Sequence, residues 1–311
     1  MKIWFDIATP KYALFFHEFI QSLSQMEFQT LITTRYSENY SEAKKLLSLQ
    51  GITPETIGNY GGATKKEKFL ARIKRQAEFV EIFERTGFPD ALVCGSVVDS
   101  VQTAFALGIP IINFCDTPIR GFQFKHEDVT IVTRLTVPLS NLIFHPFVVP
   151  SQVFFSLGCD PSKVFSYEFI DVYQWMKKIR KDDRKDFRKK FGIPCDKPTI
   201  LIREEEYKAH YVKEKLPVIY DAIPVLSREI KANLVIMPRY ESDYLHKTFS
   251  DKAFILEEKI MPEEFYPFID LLIGGGGTMN LEAVCTSFFC RGEDSIKKIV
   301  ERIVEFLSTV K

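Results

Sequence analysis

The chain has no Cys-x-x-Cys pair, and its six cysteines, at 94, 115, 159, 195, 285 and 290, stand apart in 311 residues. That spacing disfavours zinc ribbons and dithiol redox centres, and it predicts a reduced, cytoplasmic protein. His-x-His and His-Glu-x-x-His are also absent among the five histidines, so a protein-built zinc site has no sequence support. No Gly-x-Ser-x-Gly elbow is present to carry hydrolase chemistry. No apolar stretch approaches the roughly 20 residues that span a bilayer, and no apolar signal segment opens the chain. Any membrane attachment is therefore expected to be peripheral. Charge of one sign is lacking too: 41 basic and 41 acidic side chains cancel, which removes a global electrostatic argument for nucleic acid.

What is there points to a large α/β protein. Hydrophobic residues make up 46% of the chain and charged residues 26%, enough apolar material for a sizeable core. The length favours two domains over one, because single cores stop growing at roughly 250 to 300 residues. From the start, short apolar runs alternate with helical periods: strand 2–7, a helix after Thr9-Pro10, strand 28–34, helix 38–50, strand 52–57, helix 65–86, strand 90–94, helix 97–107, strand 109–114 and strand 141–144. Buried strands alternating with helices predict a parallel, doubly wound sheet. Helix 65–86 interleaves Lys65, Lys66, Lys68, Arg72, Lys74 and Arg75 with Phe69, Leu70, Ile73 and Phe79. A solvated face is the plain reading of that pattern, and contact with a membrane surface or an anionic acceptor is the other.

A second series follows the charge-dense stretch 177–190, with strands at 198–202, 233–237, 253–256 and 270–273, and helices at 212–228, after Pro262 and from Thr278. No sequence repeat accompanies it. The expected organisation is an N-terminal domain, 1–168, and a C-terminal domain, 169–311, both Rossmann-like and facing across a cleft at the carboxyl ends of their strands.

The strongest local signal is the passage from Leu271-Leu272-Ile273 into Gly274-Gly275-Gly276-Gly277, followed at once by a helix from Thr278. Glycines let backbone approach a ligand closely, and a helix start offers free N–H groups to an anion. No Lys-Ser/Thr follows the last glycine, so this is not a P-loop, and the dinucleotide fingerprint also lacks its third glycine. Glu282 falls one turn inside the helix, where its carboxylate can accept hydrogen bonds from a vicinal diol. Phosphate on the glycines and ribose on the glutamate describe a nucleoside diphosphate.

Gly-Gly-Gly-Gly-Thr-Met-x-x-Glu-Ala resembles the nucleotide-sugar motif of GT-B glycosyltransferases and UDP-N-acetylglucosamine 2-epimerases. With Lys2-Ile3-Trp4-Phe5-Asp6-Ile7, Thr9-Pro10 and Leu14-Phe15-Phe16, nearly the whole chain is similar to domain-of-unknown-function family 354. The resemblance implies that Gly276, Gly277 and Thr278 cradle a diphosphate and that Glu282 holds the ribose of a donor, UDP-linked by the same resemblance; the glycine run itself adds Gly274 and Gly275 to the expected phosphate site. A second stretch, Cys94-Gly95-Ser96-Val97 through Gly108-Ile109-Pro110 to Asn113-Phe114-Cys115-Asp116, is similar to the strands that line the acceptor side. A base for the acceptor hydroxyl is sought among Asp116, Asp99 and Asp6, with a helix cap or turn as the alternative for Asp99 and a turn for Asp6. Relatives carry a histidine where this chain has Tyr12. Arg203, at the end of strand 198–202, is placed to offset leaving-group charge, or else to pair with Glu204 to Glu206, and Arg239 is a weaker version of it.

These readings together predict a metal-independent glycosyltransferase moving a sugar from a nucleotide-sugar donor to a glycan or lipid-linked acceptor. No cofactor beyond the donor and no nucleic-acid partner is expected. The missing Asp-x-Asp pair argues against a metal-dependent GT-A enzyme. The alternatives are a UDP-N-acetylglucosamine 2-epimerase-like enzyme and a nucleotide-sugar-binding protein without turnover. Epimerases typically have Gly-Asp-Thr where this chain has Gly95-Ser96-Val97, and His-Arg where it has Ile202-Arg203. Relatives also interpose a Gly-x-Pro turn, a strand, a donor-sugar loop and a helix where this chain passes within seven residues, 286–292, toward its last helix. A segment is therefore expected to be missing near residues 285–287.

Overall fold

The computed structural model describes the chain apart from residues 38–40, 62–63, 122, 205–217, 241, 275–276, 286–294 and 310–311. It divides into two compact units, Met1–Gln174 with Phe289–Lys311, and Trp175–Phe288.

The first unit holds seven strands: β1 (Lys2–Asp6), β2 (Gln29–Thr34), β3 (Glu55–Thr56), β4 (Ala91–Cys94), β5 (Ile111–Phe114), β6 (Leu142–Pro146) and β7 (Val164–Tyr167). They form one sheet, ordered β3-β2-β1-β4-β5-β6-β7, and every pairing is parallel. The helices between them are α1 (Pro10–Gln25), α2 (Glu42–Leu49), α3 (Lys65–Thr86), α4 (Val98–Ala106), α5 (Ile131–Thr136) and α6 (Gln152–Phe155). Strand order reverses between β1 and β4, so the crevice at their carboxyl ends is where a doubly wound sheet presents ligand-binding loops.

The elements follow from the residues. Proline at the first position of α1 presets its backbone, and the face carrying Leu14, Phe15, Phe16, Phe19 and Leu23 is buried. Those rings join Phe5, Phe114, Tyr167 and Phe169 in an aromatic cluster with centroids about 5 to 6 Å apart. Across the sheet, Trp4 packs against Phe79 and Phe83 of α3 and donates from Nε1 to Thr33 at 2.8 Å. Thr64 and Glu67 close a capping box at the start of α3.

The second unit begins with α7 (Tyr173–Met176), which straddles the boundary, and α8 (Phe187–Lys190). Strands β8 (Thr199–Arg203), β9 (Asn233–Met237), β10 (Phe254–Ile255) and β11 (Leu271–Gly274) make a parallel sheet ordered β10-β9-β8-β11. Helices α9 (Val218–Glu229), α10 (Asp243–Phe249), α11 (Pro262–Phe265) and α12 (Thr278–Val284) accompany it. One apolar cluster forms around Leu201, Val235 and Phe268, and another around Ile202, Ile236 and Phe249. Alternate residues of the same strands feed the two clusters, as a sheet covered on both faces requires.

The division differs from the expected boundary at 168/169. Residues 169–174 belong to the first unit, because Phe169 packs on Tyr167 at 4.7 Å and Asp171 pairs with Lys11 at 2.5 Å. The last helix, α13 (Ser295–Thr309), also joins the first unit, where it lies beside α1 and Arg302 stacks over Phe165. Strand β7 was not expected from sequence. Of the junction expected at 285–287, residues 286 and 287 lie outside the described residues.

Candidate nucleotide-sugar site

In the second unit, parallel pairing sets Gly274 opposite Arg203 at the carboxyl ends of β11 and β8. A side chain at Gly274 would meet Asn280 Oδ1 at 2.9 Å, and Asn280 itself donates to the Gly274 carbonyl at 3.3 Å. Gly277 begins α12 with φ +89° and ψ −164°, a conformation that L side chains avoid. Gly275 and Gly276 lie outside the described residues.

Glu282, one turn into α12, is 3% exposed. Trp175 Nε1 donates to its Oε1 at 2.7 Å, and the Tyr266 hydroxyl lies 2.6 Å from Oε2 and 3.1 Å from the Met279 carbonyl. Burial pushes the Glu282 carboxyl up to about 7, against the pull of Tyr266, Trp175 and Arg203. The same burial, with Glu282 beside it, raises the Tyr266 phenol. Each carboxylate oxygen retains a second lone pair, so a diol can still be accepted.

Arg203 is 8% exposed, and its guanidinium donates to the carbonyls of Pro238 at 2.7 Å and Met237 at 3.4 Å. The strand end is buried, so Arg203 is not a surface residue. Glu204 is buried as well, accepting from the Tyr220 hydroxyl at 2.5 Å and from the Arg239 N–H at 2.8 Å. Glu205 and Glu206 are outside the described residues. Arg239 enters this arrangement through its backbone.

In the first unit the three candidate carboxylates separate into two groups. Asp6 is fully buried: Arg75 donates to Oδ1 at 2.6 Å and Oδ2 at 3.0 Å, and Thr33 adds a bond to Oδ1 at 2.8 Å. Asp99 meets the same guanidinium at 3.3 Å and Arg35 at 2.7 Å. It sits inside the first turn of α4, whose N-cap is Val97, so Asp99 is neither a cap nor an open carboxylate. Burial pulls the Arg75 guanidinium down, but Asp6 and Asp99 outweigh it and the net shift is upward. Asp6, Arg75, Asp99 and Arg35 form an anchor across β1, α3 and α4. Arg75, counted with a solvated basic face from sequence, is 1% exposed.

Asp116 stands apart, two residues beyond β5, with 33% of its side chain exposed. It pairs with Lys11 of α1, which also pairs with buried Asp171 at 2.5 Å. Tyr12 points its hydroxyl at the Phe114 carbonyl, 3.2 Å away, and at Asp116, 3.4 Å away, while Tyr167 donates to Asp171. Burial would raise both carboxyls. For Asp116 the adjacent ammonium prevails and holds it below the usual carboxylate range, whereas Asp171, deeper and facing Asp116, is pushed up. Two acids on one lysine are thus driven in opposite directions, the arrangement that separates acid from base roles. Gly95, at the end of β4, must lack a side chain because a methyl there would collide with the Tyr12 ring. Ser96 follows with φ +54° and donates its N–H and hydroxyl to Asn113 Oδ1.

Sequence reasoning missed Lys11, Asp171, Trp175 and Tyr266, named Glu204 only as a partner for Arg203, and misjudged Arg75. Lys11 beside Thr9-Pro10 was the available signal, since it opens α1 at the carboxyl end of β1. Among the described residues, no group of three His, Cys, Asp or Glu side chains is placed to hold a metal ion, and no helix is long and apolar enough to cross a membrane.

Two parallel sheets of these orders define a GT-B-like α/β protein. Solved structures agree: the chain superposes on the UDP-GlcNAc 2-epimerase of Methanocaldococcus jannaschii, solved with UDP-GlcNAc and UDP, with a TM-score of 0.67 at 18% identity, covering 99% of this chain and 93% of that one. It also superposes on the spinosyn rhamnosyltransferase SpnG, complexed with spinosyn aglycone, with a TM-score of 0.51 at 14% identity, covering 91% and 78%. By sequence it is 25% identical over 286 residues to the uncharacterized protein MJ0665 of Methanocaldococcus jannaschii, covering 91% of this chain and 79% of that protein. The chain belongs to the family described as "Protein of unknown function (DUF354)", which it matches over residues 1–290.

Proposed function

We propose that this protein is a metal-independent GT-B-type glycosyltransferase that binds a UDP-linked sugar on its second unit. The observation that carries the reading is Gly277, in a glycine-only conformation at the head of α12, with the buried carboxylate of Glu282 one turn on. A diphosphate at 274–278 would meet backbone N–H groups, and the ribose hydroxyls would donate to Glu282. Arg203, close enough to Glu282 to lower its carboxyl, supplies positive charge for the departing diphosphate.

Asp116 is the base in this reading. It is ionised, partly open, and held by Lys11 and Tyr12. It takes the proton of the acceptor hydroxyl as that oxygen bonds to the anomeric carbon, and the bond from that carbon to the β-phosphate oxygen breaks to release UDP. Asp6 and Asp99, locked on Arg75, serve as framework.

A second reading, epimerisation of a UDP-sugar without acceptor, draws support from the opposite shifts of Asp116 and Asp171, since elimination and readdition need both a base and an acid. Purified protein with UDP-GlcNAc distinguishes the two. Transfer predicts UDP release and labelled product when a glycan or lipid extract is added, and no UDP-ManNAc without it. UDP-ManNAc formed in the absence of acceptor would establish the second reading. Donor binding with no acceptor ever labelled and no epimer formed would leave a binding protein without turnover.

A further inference from the structure

Helix α3 carries an apolar stripe on its outer side. Phe69, Leu70 and Ile73 are 52%, 53% and 47% exposed, while the face bearing Arg75, Phe79, Ile82 and Phe83 is buried. At 3.6 residues per turn, Phe69, Ile73 and Ala77 fall along one line with Leu70 beside them, well away from the buried face. A helix end that merely needed solvation would set charges there.

The cations of the same helix border this stripe. Lys66 lies in line with it one turn earlier, Lys65 and the half-buried Arg72 flank one side, and Lys74, paired with Glu78 at 3.6 Å but with 75% of its side chain exposed, flanks the other. Arg72 stacks over the Phe69 ring at 5.1 Å. From 65 to 74 the helix holds five basic residues and one acid, Glu67, whose carboxylate is spent on the capping box with Thr64. Exposed aromatic and branched aliphatic side chains ringed by lysines match the interfacial region of an anionic bilayer: rings and methyls enter the acyl boundary, and ammonium groups meet phosphate. A protein partner covering the stripe would instead have to supply carboxylates around an apolar centre.

We propose that the outer face of α3 docks on a membrane surface rich in anionic lipid. This holds whether or not the protein transfers sugar.

The full chain is mixed with vesicles of phosphatidylcholine, or of phosphatidylcholine with phosphatidylglycerol, and separated by flotation. The wild type is expected to float with the anionic vesicles, to stay behind with the neutral ones, and to be released in part by high salt. Replacing Lys65, Lys66 and Lys74 with Glu should lower the partition coefficient by about a hundred-fold or more. Replacing Phe69, Leu70 and Ile73 with Ser should lower it by at least about ten-fold, because burial of apolar side chains adds to the charge attraction. All six side chains face away from the core, so circular dichroism and the melting temperature should be unchanged. Failure of the wild type to float with anionic vesicles would overturn the proposal, as would flotation indifferent to both sets of substitutions. So would sedimentation showing a dimer that the serine variant converts to monomer, which would assign the stripe to a second copy of the chain.

Discussion

Asp116 and Glu282 lie in surroundings that drive their carboxyls in opposite directions. Asp116 keeps a third of its side chain in solvent and an ammonium alongside, which favours its charged form. Asp116→Asn should lower turnover by at least about a hundred-fold, the low end of general-base contributions, with UDP affinity unchanged in calorimetry. A variant with undiminished turnover would remove Asp116 from the chemistry. Glu282 is buried and favours its proton. Its carboxyl lies at about 7 in the fold against an ordinary 4.5, so the native state binds the proton more tightly than the unfolded chain. Stability from this group is therefore full below about 4.5 and declines as pH rises toward 7, by about 3 kcal/mol in all. Glu282→Gln can still accept from Trp175 and donate to the Tyr266 oxygen. Its gain in stability over the wild type should thus be near zero at pH 4.5 and grow toward neutrality. A difference independent of pH in urea unfolding would contradict the assignment. Glu282 was legible in the sequence because its signal is local, four glycines and then a turn of helix. Lys11 with Asp116 and Asp171 was not, because that contact joins positions more than 100 residues apart, and no periodicity records it.

Helix α3 illustrates the same limit at the scale of an element. Its span follows from sequence, and its observed bounds, Lys65–Thr86, match the period. What the period could not reveal is that one arginine of a basic run turns inward to join Asp6 and Asp99 while three apolar residues turn outward. Burial of Arg75 requires carboxylates from β1 and α4, and these are supplied by tertiary structure. Arg75→Ala should cost about 3 to 5 kcal/mol, because it strands the buried Asp6 charge. A loss within the range of an ordinary surface substitution, about 0.5 kcal/mol, would show that the anchor is dispensable. Strand β7 escaped sequence reading for a related reason. It is four residues long, lies at the sheet edge and is broken by the exposed Ser166, so it lacks the continuous apolar run of a central strand. The last helix was expected from sequence, but sequence does not name the surface a helix will cover. That surface is α1 of the first unit.

At the scale of the whole molecule, the sequence conveyed two parallel sheets and a glycine-rich turn at the end of one strand, and the family and fold comparisons agree with that outline. The account rests on the second unit as the nucleotide-binding half, with Glu282 as its ribose-holding group. The unit's own framework, Arg203 on the carbonyls of Met237 and Pro238 and Glu204 on the Tyr220 hydroxyl and the Arg239 amide, holds the strand ends around that position. Calorimetric titration of UDP into the protein at about pH 8, where Glu282 is ionised, with a chelator present, tests this most directly. The account predicts saturable binding by the wild type and, for Glu282→Ala, a loss of about 1.5 to 3 kcal/mol, roughly ten- to 150-fold in Kd, the scale of a hydrogen bond to a charged group. Equal affinity for the two proteins, or no heat of binding from the wild type, would contradict it.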